Sequence, residues 1–258
     1  VVLGMVYNGL FKLDFENLRI ASVLGRIGLA WSIAAVLYLN FGVKTRAAIA
    51  VAVLAGYGAL SALVAAPDAA GAGPLTFEGN LAGYIDRQFL PGKLIYGSFD
   101  PEGLLSTVPA VVTAMLGMFT GEFVRRGDIR GGRKTLWMAA AAAALLAAGL
   151  AFSGVLPVNK KLWSSTFVCV VGAYSLGMFA LFYYLIDVRG WRRWTLFFRV
   201  VGLNSITIYL AQRIVGFGRI SDFFLGGIAS KCPEAVAAVI SSAGYVLSLI
   251  HISEPTRL

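Results

Sequence analysis

Long apolar runs alternate with short polar breaks along this chain of 258 residues. A helix that crosses the roughly 30 Å hydrocarbon core of a bilayer needs about 20 mostly apolar residues. The pattern predicts a partial helix over residues 1–10 and a last span that begins near Ala235. Between them it predicts six complete spans, at residues 22–41, 47–66, 104–124, 135–152, 164–186 and 195–212. We therefore expect an all-α fold, a polytopic transmembrane helix bundle.

The composition excludes a water-soluble globular protein. Hydrophobic residues make up 58% of the chain, charged residues 14%, and the mean hydropathy is +0.77, whereas soluble domains are about 45–50% apolar. The formal net charge of +9 comes largely from breaks between spans, as in membrane proteins with basic cytoplasmic loops. We expect no nucleic-acid partner. Two isolated cysteines and the absence of metal-ligand spacing give no support for redox or metal chemistry.

The charge of the breaks predicts the orientation of the bundle. Lys44 and Arg46, five basic residues within 122–134 and three within 187–193 fall on one face, which the positive-inside rule makes cytoplasmic. The opposite face carries the loop 67–103, with five acidic and two basic residues. This loop is far longer than an ordinary connection of about 4–6 residues, and its many aromatic and aliphatic residues argue against disorder. We expect it to pack as a cap on the outer face.

Polar residues at the start of two spans have two interpretations each. Asp100 and Glu102 precede an apolar run, where Asp100 suits a helix N-cap and Glu102 the first turn; alternatively, both bind a cationic or hydroxylated substrate at the outer mouth. Arg26 lies four residues into its span, where a guanidinium either faces the bundle interior or reaches the interface. From the sequence alone, both interpretations stay open for the two carboxylates and for Arg26.

Three further polar residues are candidates for a binding site. Lys160 and Lys161 add positive charge to the outer face beside Trp163, either as an interfacial anchor or as an attraction for an anionic group. Asn204 lies in the middle of a predicted span, where it forms an interhelical hydrogen bond or contacts substrate.

Both ends of the sequence carry unusual signals. Val1 lies within an apolar stretch, so we expect a missing N-terminal part. Residues 247–257 read LSLIHISEPTR, which looks like one translation frame of a sequencing adapter. We therefore expect a single domain over residues 1–246 and a non-native segment over 247–258. His251, the one histidine of the chain, falls in that segment.

Five stretches of the chain carry a recognisable pattern: LRIASVLGRIGLAW (18–31), GNLAGYIDRQFLPG (79–92), FDPEGLLSTVPAVVTAMLG (99–117), NKKLWSSTFV (159–168) and VVGLNSITIYL (200–210). These stretches resemble the heparan-alpha-glucosaminide N-acetyltransferase family and its bacterial homologues, which are multi-span membrane acyltransferases. In one departure, Gly25 precedes Arg26 where the family usually has Gln.

The resemblance implies transfer of an acyl group, acetyl from acetyl-CoA, from the cytoplasm to a sugar amine or hydroxyl on the outer face of a bacterial inner membrane. The family's catalytic histidine lies upstream of Val1, so we assign no catalytic residue and expect this fragment to be inactive. The implied partners are the lipid bilayer and a sugar or glycan, and a homodimer is left open. The residues that the resemblance places along the substrate cavity are Asp100, Glu102, Asn159, Lys160, Lys161 and Asn204.

Two functions compete with this one. The spans and the outer cap also fit a transporter or permease for a glycan or small anion, and a noncatalytic membrane scaffold is a third alternative. A histidine-bearing helix upstream favours the enzyme, whereas an inverted repeat of the spans favours the transporter.

Overall fold

The computed structural model describes residues 1–253, except for the side chains of Phe197, Val200, Val201, Ile214 and residues 248–253. Residues 254–258 of the expected adapter segment lie outside the described residues. The described helices are α1 (Val2–Tyr7), α2 (Val23–Asn40), α3 (Val43–Leu63), α4 (Leu81–Phe89), α5 (Leu104–Arg125), α6 (Gly131–Ala151), α7 (Ser165–Tyr183), α8 (Thr195–Leu203), α9 (Ser205–Ile214), α10 (Phe217–Ala229) and α11 (Glu234–Ser253).

Within the described part of the chain, five helices are long and apolar enough to cross a membrane: α2, α3, α5, α6 and α7, the last extended by a π-helical turn to Val188. Each of the five predicted spans between residues 22 and 186 has its helix, and every observed helix end lies within four residues of the predicted end. The all-α polytopic bundle predicted from the sequence is confirmed.

The predicted span over residues 195–212 is wrong as a single helix. The structure divides it into α8 and α9 at Asn204, whose backbone angles of φ −105° and ψ 14° leave the helical region. The carbonyl of Asn204 accepts the first hydrogen bond of α9, from the N–H of Ile208 at 2.8 Å. Asparagine commonly interrupts helices because its short side chain competes for backbone hydrogen bonds.

Contacts divide the described chain into two compact units, residues 1–190 and the remainder from Trp191. In the second unit α10 packs along α11, the hydroxyl of Ser221 donates to the carbonyl of Ser241 at 3.0 Å, and Phe217 meets Tyr245 edge to face. The single domain expected over residues 1–246 stays a prediction.

In the first unit α2 and α3 pack against α5, and α7 packs against α6, α5 and α3. The centre of this bundle is made largely of small side chains, which let helices approach closely in lipid. Its buried members are Ala30, Ala34, Ala50, Ala110, Val111, Val112, Met115 and Val168.

The first unit has two chemically different ends. At the arginine end, where α3 and α6 begin and α2 and α5 finish, Arg46 donates to Glu122 at 2.8 Å and Lys134 donates to the carbonyl of Val124 at 2.6 Å. At the loop end, where α2, α5 and α7 begin, Arg26 donates to Ser106 at 2.6 Å. The long loop between α3 and α5 belongs to this second end.

That loop is folded. The N–H of Ala66 donates to the carbonyl of Gly79 at 2.8 Å, and α4 within the loop packs against α5 and α3. Phe77 meets Phe99 edge to face with ring centroids 4.9 Å apart, and Tyr96 lies against both rings. The expectation that the loop packs as a cap is confirmed, and its place on the outer face of a membrane stays a prediction.

Candidate functional site at the loop end

An arginine and two carboxylates form an ion cluster between the segment before α2 and the segment before α5. Arg19 donates from Nε to Asp100 Oδ2 at 2.7 Å and from Nη2 to Asp100 Oδ1 at 2.6 Å, and Nη2 also contacts Glu102 Oε2. Two parallel hydrogen bonds of this kind hold a guanidinium and a carboxylate firmly. Two segments 81 residues apart in the chain are thereby joined.

The members of this cluster differ in accessibility. The side chain of Asp100 is 0% exposed, whereas those of Arg19 and Glu102 are 19% and 17% exposed. Burial opposes the charge of Asp100, but the hydrogen bonds and the positive charge of Arg19 outweigh it and hold the pKa of Asp100 below its ordinary value. Burial likewise opposes the charge of Arg19, and its two carboxylate partners raise its pKa. Asp100 therefore fixes the cluster, and Arg19 and Glu102 are its solvent-accessible members.

Asp86 on α4 organises the start of α5. Its Oδ1 accepts from the N–H of Leu104 at 2.9 Å, and its Oδ2 accepts from the N–H of Asp100 at 3.2 Å. Asp86 thus satisfies a donor at the first turn of α5, where helix N–H groups have no intrahelical partner. The N-cap position itself is Gly103, which has no side chain to offer.

The predicted N-cap role of Asp100 is therefore wrong. The helix begins at Leu104, and the carboxylate of Asp100 is already occupied by Arg19 and by the N–H groups of Glu102 and Ile95. Sequence proximity pointed to Asp100, but a carboxylate 18 residues upstream of Leu104 makes the bond instead.

Burial raises the pKa of Asp86 to about 6, and the two backbone hydrogen bonds oppose this shift only in part. A carboxyl group whose pKa lies near neutrality is suited to act as a general base. Because Asp86 is 0% exposed and both of its oxygens bind backbone N–H groups, its role in this geometry is to position the segment from Asp100 to Leu104.

Arg26 lies deeper in the bundle, beneath this cluster. The residue is 5% exposed, donates from Nη2 to Ser106, and places its guanidinium carbon 4.6 Å from the ring centroid of Trp163. Its Nε and Nη1 atoms have no hydrogen-bond partner among the described residues. Of the two interpretations left open by the sequence, the structure shows the interior-facing one.

The connection between α6 and α7 forms the third side of the loop end. Trp163 has a positive φ of 52° and donates from its indole N–H to the hydroxyl of Thr113 at 3.3 Å. The hydroxyl of Tyr57 on α3 donates to the carbonyl of Leu162. These contacts hold the indole ring against Arg26.

The structure brings some of the predicted site residues together within the first unit. Asp100 and Glu102 share Arg19, and Lys161 places its ammonium 4.5 Å from the ring centroid of Tyr96 in the same cap. The side-chain oxygen of Asn159 accepts a hydrogen bond from the N–H of Lys161 at 2.8 Å, which closes a local turn. Lys160 is exposed. Asn204 belongs to the second unit. A substrate role for each of these residues stays a prediction.

Among the described residues, no group of three or more His, Cys, Asp or Glu side chains is arranged to hold a metal ion.

At the arginine end Arg46 lies between the rings of Tyr38 and Phe119, at 4.5 and 5.6 Å from their centroids, while it pairs with Glu122. Charged groups inside a span usually pair in this way because lipid does not solvate them.

Comparison with known proteins finds two relatives of the chain, and both relatives carry one name. It is 31% identical over 157 residues to the human protein named heparan-alpha-glucosaminide N-acetyltransferase, and 30% identical over 155 residues to the mouse protein of that name. Each match covers 53% of this chain and 23% or 24% of the relative. The family resemblance predicted from the sequence is confirmed. No family model matches the chain.

The chain spans about a quarter of the length of the curated relatives it matches. Its five apolar helices make it an integral membrane protein, and its similarity is to N-acetyltransferases. The partial coverage leaves the activity, donor and acceptor of the whole protein as proposals.

Sequence reasoning did not single out Arg19 and Asp86 as members of the site. Both lie inside stretches that carry the family resemblance, LRIASVLGRIGLAW and GNLAGYIDRQFLPG. The missing signal was spatial, because Arg19 lies 81 residues from Asp100 in the chain and Asp86 lies 14 residues from it. Charged residues within otherwise apolar matching stretches were the available clue.

Proposed function

We propose that this chain is part of a membrane acyltransferase that moves an acetyl group from acetyl-CoA, used at the arginine end, to the amine of a sugar at the loop end. The observation that carries the proposal is its similarity to two proteins named heparan-alpha-glucosaminide N-acetyltransferase. Positive charge at the arginine end is typical of the cytoplasmic face of membrane proteins, where a soluble thioester donor is available.

The loop end suits the acceptor. Three carboxylates, Asp86, Asp100 and Glu102, lie close to two guanidinium groups, those of Arg19 and Arg26. These five buried or partly buried groups carry a negative excess when Asp86 is ionised. Buried charges are poorly screened by salt. This excess favours a sugar that carries an ammonium group over one that carries a carboxylate or sulfate.

Arg19 and Glu102 are the contacts that we assign to the acceptor, since they are the partly exposed members of the cluster. A carboxylate accepts hydrogen bonds from sugar hydroxyls or an ammonium group, and a guanidinium donates to hydroxyl oxygens. Asp100 and Asp86 are positioning residues, because each is buried and acts through Arg19 or through the backbone of the loop.

The proposed reaction breaks the thioester C–S bond of acetyl-CoA and forms an amide C–N bond to the sugar. The attacking amine loses one proton, and CoA leaves as a thiol after taking up a proton. A group with a pKa near neutrality is the most effective base for this transfer. The resemblance assigns that base to a histidine upstream of Val1, and we assign no base within residues 1–253.

The test is transfer of labelled acetyl from acetyl-CoA to glucosamine in membranes that contain the full-length gene product. We expect transfer by the wild type and a rise in KM for glucosamine in Glu102→Gln, because the substitution removes the negative charge that attracts the ammonium group. Asp128→Asn is the matched control, since Asp128 is an exposed carboxylate paired with Arg126 at the arginine end. Absence of transfer to a broad panel of amino sugars and glycans by folded protein would contradict the proposal.

A further inference from the structure

A cavity lies between α5 and the pair formed by α6 and α7. α6 and α7 pack closely along their length, whereas α5 touches α6 at few positions, and the space left between them has a volume of about 810 Å³. Pockets of roughly 300–1,000 Å³ are the size that holds small organic ligands. Trp137 is one of the lining residues and is 64% exposed. This space, which we call the α5–α7 cavity, is distinct from the loop-end cluster.

The lining of the α5–α7 cavity is suited to hydrocarbon. Two of its three hydroxyl groups are already engaged: that of Thr120 donates to the carbonyl of Leu116 at 2.8 Å, and that of Thr113 accepts from the indole of Trp163. The remaining lining is almost entirely apolar. A ligand arm with amide groups would lose hydrogen bonds on entering such a space, which is costly, whereas an acyl chain loses none.

The depth of the cavity corresponds to one leaflet. Its wall on α5 runs from Thr113 to Phe123, about 15 Å at the helical rise of 1.5 Å per residue. The hydrocarbon core of a bilayer is about 30 Å thick. Because Phe123 is near the last turn of α5, the cavity occupies the half of the bundle next to the arginine end.

Positive charge lies at the mouth of the cavity. Arg125 follows the lining residue Gly121 by four positions on α5, and Arg133 precedes the lining residue Trp137 by four positions on α6. Residues four apart lie on the same face of a helix. Both arginines are exposed, and neither forms a salt bridge among the described residues, whereas the neighbouring Arg126 is paired with Asp128.

We propose that the α5–α7 cavity binds one acyl chain of an anionic phospholipid whose phosphate is held by Arg125 and Arg133. Basic pockets between transmembrane helices are a recognised means of binding anionic headgroups. The apolar lining, the one-leaflet depth and the unpaired arginines at the same end each match a different part of this ligand. The site is independent of the proposed acetyl transfer, so failure of either test leaves the other unaffected.

The test uses the full-length protein purified in detergent, with phosphatidylglycerol or phosphatidylcholine of identical acyl chains added back. We expect phosphatidylglycerol to raise the unfolding temperature more than phosphatidylcholine does, and to be retained in native mass spectra. Each arginine near an anionic headgroup contributes about 1 kcal/mol, so we expect Arg125→Gln with Arg133→Gln to weaken phosphatidylglycerol binding about thirtyfold. Lys44→Gln, which removes an exposed positive charge at the same end, is expected to leave binding unchanged.

A second pair of variants tests the cavity itself. Ala141 lines the cavity and Ala140 does not, although both are exposed on α6. We expect Ala141→Phe to prevent retention of either lipid and Ala140→Phe to have no effect. Equal stabilisation by the two lipids, or an equal loss in Lys44→Gln, would overturn the proposal. Binding of acetyl-CoA through Arg125 and Arg133 without any effect of phosphatidylglycerol would overturn it too, and would assign the arginines to a soluble nucleotide.

Discussion

The carboxylate of Asp86 accepts the N–H of Leu104 at 2.9 Å and thereby links the middle of the long loop to the first residue of a membrane-spanning helix. The same carboxylate accepts the N–H of Asp100, whose own side chain holds Arg19. One buried group thus determines where α5 begins and where the partly exposed side chains Arg19 and Glu102 lie.

Removal of the Asp86 carboxylate is expected to destabilise the bundle. Asp86→Ala removes the acceptor of the buried N–H group of Asp100 and of the partly buried N–H group of Leu104; a buried donor left without a partner costs about 1–3 kcal/mol, and the loss at Leu104 is expected to be smaller. Asp86→Asn keeps one oxygen acceptor and is expected to lose less. Thermal unfolding in detergent measures both, and an unfolding temperature for Asp86→Ala equal to that of the wild type would contradict the proposed cap.

Asp86 also predicts a pH dependence of stability. Its pKa is about 6 in the folded protein against an ordinary value of 3.8, so the folded state binds the proton more tightly than the unfolded state does. The contribution of this group to stability is therefore greatest below about pH 4 and declines as the pH rises to about 6, by on the order of 3 kcal/mol. The pKa of Asp100 is shifted downwards, so its contribution is lost only below this window. Chemical unfolding at several pH values is expected to show the slope in the wild type and not in Asp86→Asn.

Gly103 provides a test of the same contact from the opposite side. A Cβ atom at this position would overlap both carboxylate oxygens of Asp86, so Gly103→Ala is expected to displace Asp86 and lower the unfolding temperature in the way that Asp86→Ala does. Gly117 lies on the same helix with open space beside it, and Gly117→Ala is the control, expected to leave the unfolding temperature unchanged or slightly higher because alanine favours the helix.

The pair of Arg19 and Asp100 is expected to be far more sensitive than a surface ion pair. Arg19→Leu leaves the carboxylate of Asp100 buried and uncompensated, which typically costs about 3–5 kcal/mol. The double variant with Asp100→Asn is expected to recover part of that loss, because the unpaired charge is removed. Arg126→Leu breaks a pair whose side chains are 55% and 59% exposed, and exposed pairs often contribute nothing measurable. Similar losses for Arg19→Leu and Arg126→Leu would refute the assignment.

The stack of Arg26 on Trp163 is expected to contribute to stability in two separable parts. Trp163→Phe keeps an aromatic face for the guanidinium but loses the hydrogen bond to Thr113, whereas Trp163→Leu loses both. A desolvated cation–π contact is worth about 2 kcal/mol, so Trp163→Leu is expected to unfold at a lower temperature than Trp163→Phe. Equal unfolding temperatures for the two variants would show that the stack contributes little.

Hydrophobic runs were sufficient to predict the five spanning helices, because the length and apolar character of a span are set by the bilayer. They failed at Asn204, where one polar residue with a local backbone preference divides an apolar run into α8 and α9. Hydropathy averages over about 20 residues and does not register such a break. The orientation of the bundle, predicted from the charge of the breaks, remains to be measured.

The candidate site was predictable only in part. The sequence indicated Asp100 and Glu102 because they lie together before an apolar run, but of its two interpretations of Asp100 the helix N-cap is wrong. Local rules identify helix caps from neighbouring residues, whereas the cap of α5 comes from Asp86 on another helix. Arg19 was missed for the same reason, since nothing local connects it with a carboxylate 81 residues away.

The most direct test of acetyl transfer across the membrane uses sealed, oriented vesicles that contain the full-length gene product, with labelled acetyl-CoA supplied on one side and glucosamine on the other. The account predicts labelled N-acetylglucosamine when acetyl-CoA faces the arginine end and glucosamine faces the loop end, and no product when the two are exchanged. Equal product from both arrangements, or product only when both substrates are on one side, would contradict it.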